Sequence, residues 1–290
     1  MEEYLRIVKD VFEKGELKSN RTGVDTISIS GAMFEHDMSK GFPLLTTKDV
    51  PLRLVASELE FFIKGITDKR WLQERNNHIW DEWCSPKIVP YGHDEETKRK
   101  MFEERDLGPI YGFQWRHFSA NYIDYKTDYT GQGVDQLANL VNKLKQEPES
   151  RRLIVNSWNA ADLGKMALPP CHDSFQVLAN PRTKKLDLIW RQRSTDTMVG
   201  LPFNIASYAL LQTLLAREVD YVPGKLIGHL GDVHIYFPHF DNARIQLERI
   251  PYELPEIKTE NFSGIFNWNY PYTKVKNYQH HPKLEYEVIT

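Results

Sequence analysis

The sequence predicts an α/β fold in a single domain that spans residues 1–290. Apolar residues recur at helical spacing in several segments, the first of them carrying Tyr4, Ile7, Val8 and Val11. Segments 26–30 and 186–190 alternate apolar and polar residues, as half-buried strands do. No repeat, low-complexity tract or linker divides the chain, and 290 residues can bury a sizeable core.

Composition narrows the possible functions. Lysine and arginine total 37 against 40 acidic residues, and the net charge is −3, so an anion site must be local and built from placed arginines. Cys84 and Cys171 are too few for a disulfide framework or a zinc site, and no metal is expected. Free thiols fit a reducing cytosol. With neither a signal peptide nor a membrane-spanning apolar run in the sequence, we expect a soluble, cytoplasmic protein.

In the first third of the chain, the pattern predicts two helices and a strand. Gly15 ends the first helix, and the polar turn 20–24 leads into the strand 26–30. A second helix carries its apolar face between residues 52 and 63. Glu58 and Glu60 lie on this helix two residues apart, and therefore on different faces. We interpret Glu60 as a surface carboxylate.

The middle of the chain mixes aromatic, polar and helical segments. Residues 78–83 are rich in aromatics, which are ordinarily core residues. The polar stretch 85–105 predicts a surface insertion, and 119–133 predicts a long loop. Val134 to Leu144 has the spacing of an amphipathic helix ended by Pro148. Arg151 and Arg152 are expected to open a strand at 153–155.

The stretch from Met166 to Leu210 contains the densest chemistry. Cys171 follows two prolines, which fix the backbone and remove two amide donors. A strand at 186–190 leads into the charged run 191–196, and Gly200–Asn204 leads into a helix-like run at 205–215. Taken singly, a lone cysteine is more often a small buried hydrophobe, and an asparagine before a helix is usually its cap. Together, these residues have the composition of a site for an anionic substrate.

Three motifs resemble those of the thymidylate synthases in order and spacing. They are Pro-Pro-Cys-His at 169–172, Gln-Arg-Ser-x-Asp at 192–196, and Gly-Leu-Pro-Phe-Asn-Ile-Ala-Ser-Tyr-Ala-Leu-Leu at 200–211. The resemblance runs from Arg21 to Pro282. It implies a large mixed sheet covered by helices on one face and by a second subunit, in a homodimer, on the other.

The resemblance also implies a dUMP site. Cys171 is then the nucleophile that adds to carbon 6 of uracil, and Arg193 favours its thiolate. Asn204 can match both N3–H and O4 of uracil because an amide donates and accepts. The remaining substrate contacts implied are the phosphate ligand Arg21, the cross-subunit pair Arg151 and Arg152, Ser194, Asp196, and the deoxyribose ligands His234 and Tyr236.

The second substrate implied is 5,10-methylenetetrahydrofolate, which acts as both carbon donor and reductant. Its ring system is expected against Ile79, Trp80 and Trp83, with Asp196 accepting from the pterin N–H groups. Glu58 and Tyr111 are the implied participants in proton transfer. Leu168, Gly200 and Phe203 complete the expected folate contacts.

Two other functions compete with this reading. A dUMP hydroxymethylase would use the same nucleotide site but let water capture the exocyclic methylene, whereas Trp80 favours reduction by ordering the folate. A nucleic-acid-binding protein that kept only the fold is disfavoured by the net charge of −3 and the lack of a basic stripe.

The chain departs from the family pattern at a few positions: Arg191 replaces a tyrosine, Glu60-Phe61 replaces Leu-Trp, and Thr290 replaces a terminal aliphatic residue.

Overall fold

A computed structural model describes residues 1–289. The α-helices are α1 (Glu2–Lys14), α2 (Leu52–Ile63), α3 (Arg70–Gln73), α4 (Glu95–Glu103), α5 (Tyr111–His117), α6 (Gln136–Gln146), α7 (Gly200–Glu218) and α8 (Phe240–Glu248). The strands are β1 (Glu16–Lys18), β2 (Thr26–Asp37), β3 (Ile154–Asn156), β4 (His172–Asn180), β5 (Lys185–Asp196), β6 (Val222–Tyr236), β7 (Glu256–Thr259) and β8 (Thr273–Lys276).

Six strands form one large sheet in the order β1-β2-β6-β5-β4-β3, and β7 pairs with β8 separately. Strands β5 and β6 run parallel, and the other neighbours in the large sheet are antiparallel. The predicted mixed sheet is therefore confirmed. Strands β4, β5 and β6 carry most of the predicted site motifs. They are adjacent to one another in the interior of the large sheet.

Helix α7 packs on the sheet through aromatic contacts. Tyr208 stacks on Trp190 of β5, with ring centroids 5.4 Å apart and an interplanar angle of 10°. Gly228 lies opposite Trp190 on β6, and a Cβ there would stand 2.4 Å from the indole ring. Because only glycine leaves that space, this position lets the indole lie flat on the sheet and carry α7.

The opposite face of the sheet is left open. Ile154, Gln176, Ile189 and Ile227 stand in register across β3, β4, β5 and β6, so their side chains share this face. Ile154 is 45% exposed, and the other three are half-buried. Among residues 1–289, helices do not cover this face of the sheet as α7 covers the Trp190 face.

Most of the predicted elements are present, with shifted ends. Helix α1 ends at Gly15 as expected, and the loop at 119–133 is confirmed. Arg151 and Arg152 lie in a turn, and strand β3 begins only at Ile154, so the prediction that they open a strand is wrong. Val134 precedes α6 and bridges Phe118 instead of belonging to the helix. Within residues 1–289, no helix is both long enough and apolar enough to cross a membrane.

The interpretation of Glu60 as a surface carboxylate is also wrong. Its side chain is 3% exposed, accepts from the backbone N–H of Tyr270 at 2.7 Å and pairs with Lys64 at 2.5 Å. Phe61 packs against Trp71, with centroids 6.0 Å apart. Glu60 and Phe61, the departures from the family pattern on α2, thus both pack against other parts of the chain. Neither lines the cleft described below.

Candidate active site

A cleft of about 800 Å³ opens at the ends of β4, β5 and β6, beside the first turn of α7. It brings together side chains from distant parts of the sequence. The predicted site residues that line it are Arg21, Trp83, Leu168, Cys171, Arg193, Ser194, Asp196, Gly200, Asn204, His234 and Tyr236.

Cys171 lies directly before β4 and is partly buried. Burial raises the pKa of its thiol, and the Arg193 guanidinium acts against that rise. Arg193 acts on the thiol pKa in the expected direction, but the net pKa is still raised. Removing the thiolate from water outweighs the nearby positive charge.

Arg193 is held by the two prolines before the cysteine. Its Nε donates to the Pro170 carbonyl and its Nη2 to the Pro169 carbonyl, each at 2.8 Å. The prolines lack N–H groups, but their carbonyls are free to accept. The guanidinium also lies 5.4 Å from the ring centroid of Trp158, which lines the cleft and was not predicted. These contacts fix Arg193 beside Cys171.

Asn204 sits inside α7 and is not its cap. The helix begins at Gly200, with Val199 at the N-cap position. Asn204 therefore lies in the second turn, and its side chain lines the cleft. Asp196 shapes this helix start instead, because its Oδ1 accepts from the backbone N–H groups of Met198 and Val199 at 3.0 and 3.1 Å. The amide of Asn204 is left for a ligand.

Glu58 lies behind the cleft, on α2. It accepts a hydrogen bond from the Trp80 indole Nε1–H at 2.8 Å. Burial raises the pKa of Glu58 to about 7, although the indole bond lowers it. A carboxyl poised near neutral pH can take and return a proton. Trp80 itself is buried, with one edge committed to Glu58.

Tyr111 and His172 form the buried support of Cys171. The backbone N–H of Cys171 donates to the Tyr111 hydroxyl at 2.7 Å, and the Tyr111 ring stacks on His172 with centroids 4.3 Å apart. Burial lowers the pKa of His172 to about 3, so its ring is neutral at physiological pH. Its Nδ1 is 2.9 Å from the Tyr208 hydroxyl, which links this support to α7.

His234 and Tyr236 both line the cleft from the end of β6, because residues two apart on a strand share one face. The His234 Nδ1 lies 3.0 Å from the Asp232 carboxylate. This contact, together with Lys18, lowers the pKa of Asp232 to about 2. The Lys18–Asp232 pair was not predicted, because only the sheet brings edge strand β1 near β6. Its effect is to orient the His234 ring.

Several predicted residues do not line the cleft. Ile79, Trp80, Phe203, Glu58 and Tyr111 lie behind or beside its wall, and Arg151 and Arg152 are exposed elsewhere. Thr290, one of the departures from the family pattern, lies outside the described residues. Conversely, the insertion contributes Tyr91 and Pro86 to the lining, although its polar sequence indicated only a surface segment.

A thiol and arginines that line one cleft are the parts of an enzyme site in which a cysteine could act as nucleophile on an anionic substrate. Within residues 1–289, no group of three or more His, Cys, Asp or Glu side chains is placed to hold a metal ion. Sequence comparison identifies the family: the model described as "Thymidylate synthase" matches residues 2–290. The chain belongs to the thymidylate synthase family.

Three curated relatives are similar over most of the chain, and each is named as a bifunctional dihydrofolate reductase-thymidylate synthase. The protein from Paramecium tetraurelia is 40% identical over 283 residues, which are 98% of this chain and 60% of the relative. The Zea mays protein is 41% identical over 284 residues, 98% of this chain and 53% of the relative. The Arabidopsis thaliana protein, whose name ends in the numeral 1, is 45% identical over 256 residues, 88% of this chain and 48% of the relative. The chain thus spans about half to three-fifths of these relatives.

Proposed function

We propose that the chain catalyses the reductive methylation of dUMP to dTMP, with 5,10-methylenetetrahydrofolate as the second substrate and dihydrofolate as the second product. The observation that carries the proposal is the convergence of the Cys171 thiol, the Asn204 amide and the Arg193 guanidinium on one cleft. A nucleophile, a group that can read uracil and an anion ligand are the parts that this reaction needs.

The nucleotide half of the reaction uses residues of the cleft directly. Cys171 adds as a thiolate to carbon 6 of uracil and makes carbon 5 nucleophilic. Burial disfavours that thiolate in the free protein, so Arg193 lowers the cost of forming it. Asn204 donates to O4 and accepts from N3–H, which matches uracil and not cytosine. Arg21 serves as the phosphate ligand, and His234 and Tyr236 as the ligands of the sugar hydroxyl.

The folate half uses the apolar and acidic parts of the same cleft. The rings of Trp83 and Trp158 and the Leu168 side chain provide flat or apolar surface for a ring system, and Asp196 offers a carboxylate oxygen to its N–H groups. The folate would supply the one-carbon unit and the hydride. Glu58, whose pKa is about 7, would assist removal of the proton from carbon 5, with Trp80 holding its carboxyl in place.

A homodimer completes the proposal. The open sheet face carries Ile154, Ile189 and Ile227, and an uncovered apolar face is stabilised by a second subunit. Arg151 and Arg152 are exposed, and their side chains make no ion pair or hydrogen bond within residues 1–289. Their freedom in their own chain supports a role at the phosphate of the partner's site. The two free thiols support a reducing compartment such as the cytoplasm.

A product assay tests the proposed reaction. Incubation with dUMP and methylenetetrahydrofolate is expected to yield dTMP by mass and an equal amount of dihydrofolate by absorbance. A hydroxymethyl nucleotide formed with tetrahydrofolate left unoxidised would overturn the reductive reaction in favour of a hydroxymethylase. The names of the curated relatives favour the synthase.

Substitution of the nucleophile tests the covalent step. Cys171→Ser is expected to lose turnover while it still binds dUMP, because a serine hydroxyl is a far weaker nucleophile than a thiolate. Cys84→Ser is the matched control: burial raises the pKa of the Cys84 thiol to about 11, and Cys84 does not line the cleft. Near wild-type turnover in the Cys171→Ser protein would remove this residue from the reaction.

A further inference from the structure

The side chain of Arg21 lines the cleft. Its loop is well tied, since the Asn20 side chain donates to the Val24 carbonyl at 2.9 Å and accepts from the Thr22 backbone N–H at 3.0 Å. The Arg21 side chain itself makes no hydrogen bond or ion pair within residues 1–289. A guanidinium with every donor free suits a phosphate, but hydrogen bonds do not hold it in position.

An aromatic ring contacts the Arg21 guanidinium instead. The guanidinium carbon of Arg21 lies 5.8 Å from the ring centroid of Tyr91, within the range of a cation–π contact. Tyr91 belongs to the insertion at 85–105 and lines the same cleft as Arg21. Its hydroxyl makes no hydrogen bond within residues 1–289, so the ring face is the part that is used.

The Tyr91 ring contacts one aromatic residue that precedes it in the sequence and one that follows it. It stacks on Trp83 with centroids 5.8 Å apart at 21°, and His93 meets it edge-on at 5.1 Å. Behind Trp83, the fully buried Lys69 ammonium donates to the carbonyls of Asp81, Trp83 and Met101 at 2.8, 2.9 and 2.6 Å. Since Met101 lies on α4, this one ammonium ties the insertion to the aromatic segment.

We propose that Tyr91 is a positioning residue for substrate phosphate, holding the Arg21 guanidinium over the cleft before the nucleotide binds. The inference rests on the proposed function, because it takes the phosphate of dUMP as the ligand of Arg21. It assigns a role to the insertion, whose Tyr91 ring preorganises an arginine that its own loop leaves unrestrained. Preorganisation improves affinity by reducing the freedom lost on binding.

The test compares two ligands that differ only in the phosphate. Tyr91→Leu keeps apolar volume against Trp83 but removes the π face. It is expected to weaken dUMP binding about two- to fivefold in calorimetry, and to leave binding of deoxyuridine unchanged. The same variant should raise the KM for dUMP with little change in kcat. Tyr91→Phe should restore wild-type dUMP binding, since the hydroxyl is unused.

Phe102→Ala is the control for the insertion as a whole. Phe102 is 54% exposed on α4 and does not line the cleft, so its removal should leave dUMP and deoxyuridine binding as in wild type. Equal dUMP affinity in wild type and Tyr91→Leu would overturn the inference while leaving the proposed reaction standing. A parallel loss of dUMP and deoxyuridine binding would also overturn it, because the ring would then be supporting the fold of the cleft. Failure of the wild-type protein to bind dUMP would instead remove the proposed function, and this inference with it.

Discussion

In the proposed function, Asn204 is the residue on which base choice depends. Its amide faces the cleft from the start of α7, and the helix does not use it as a cap. An amide that donates and accepts matches one pyrimidine edge and mismatches the other. The structure therefore leaves this side chain to recognition rather than to helix stability.

We expect Asn204→Asp to lower kcat/KM for dUMP and to admit dCMP. A carboxylate cannot donate to O4, and losing a matched buried hydrogen bond costs about 1–3 kcal/mol, tenfold or more in discrimination. The ratio of kcat/KM for the two nucleotides measures the change. Thermal stability should stay near that of wild type because no cap is lost. An unaltered ratio would place base reading elsewhere in the cleft.

Glu58 links catalysis to stability at the same residue. Burial raises the pKa of Glu58 from 4.5 to about 7 in the folded chain. The folded state therefore holds this proton more tightly than the unfolded state does. The contribution of Glu58 to stability consequently falls as pH rises from about 4.5 to about 7, and it stays low above that range.

Glu58→Gln should accordingly lose turnover and gain stability at neutral to alkaline pH. The glutamine oxygen can still accept from the Trp80 indole, but it carries no buried charge. We expect the free energy of unfolding to match wild type near pH 4 and to exceed it by about 2–3 kcal/mol at pH 8. Urea unfolding at the two pH values measures this difference. Glu60→Gln provides the contrast, since it breaks the ion pair with Lys64 and should only destabilise. A Glu58→Gln gain that does not vary with pH would contradict the raised pKa.

At the scale of elements, a buried cation ties the insertion at 85–105 to the aromatic segment before it. Lys69 is 1% exposed, and its ammonium group donates three hydrogen bonds to backbone carbonyls, one of which is on α4. Those carbonyls would otherwise be buried without donors. A segment with little apolar burial of its own is thereby fixed against Trp83.

Lys69→Met is expected to lower the free energy of unfolding by about 2–4 kcal/mol, because it leaves three carbonyls without a donor. It should also expose the amides of α4 to hydrogen exchange. Lys87→Met is the matched control in the same region, since Lys87 is exposed and makes no hydrogen bond within residues 1–289. Equal stability of the two variants would show that the insertion is anchored by other contacts.

At the scale of the whole molecule, the proposed dimer makes each active site a shared one. Arg151 and Arg152 do not reach the cleft of their own chain, whereas Arg21 lines it. The two sets of arginines should therefore behave differently when subunits exchange. This difference is testable without knowledge of the interface geometry.

Mixing inactive Cys171→Ser chains with inactive Arg152→Glu chains should restore turnover. In the mixed dimer, one site keeps Cys171 and receives an intact Arg152 from its partner. Mixing Cys171→Ser with Arg21→Glu chains should restore none, because Arg21 and Cys171 belong to one chain's cleft. Restored activity in both mixtures, or in neither after subunit exchange is shown by mass, would exclude a cross-subunit role for Arg152.

The local structure and the chemical groups of the candidate site could be predicted from the sequence alone. Helical spacing and strand alternation depend on neighbours a few residues apart, so α1, α7 and β5 could be predicted, although the ends of α7 and β5 could not. The motifs around Cys171, Arg193 and Asn204 are equally local. Their order and spacing were sufficient to indicate the family that the whole-chain match then confirmed.

What each of these groups contacts depends on the tertiary structure. It buried Glu60, set the net pKa shift of Cys171 against the effect of Arg193, and seated Tyr91 beside Arg21. Each of these outcomes depends on residues far apart in the chain, which are brought together when the sheet and its helices pack. Desolvation and contact between distant side chains follow from that packing, and no local pattern encodes them.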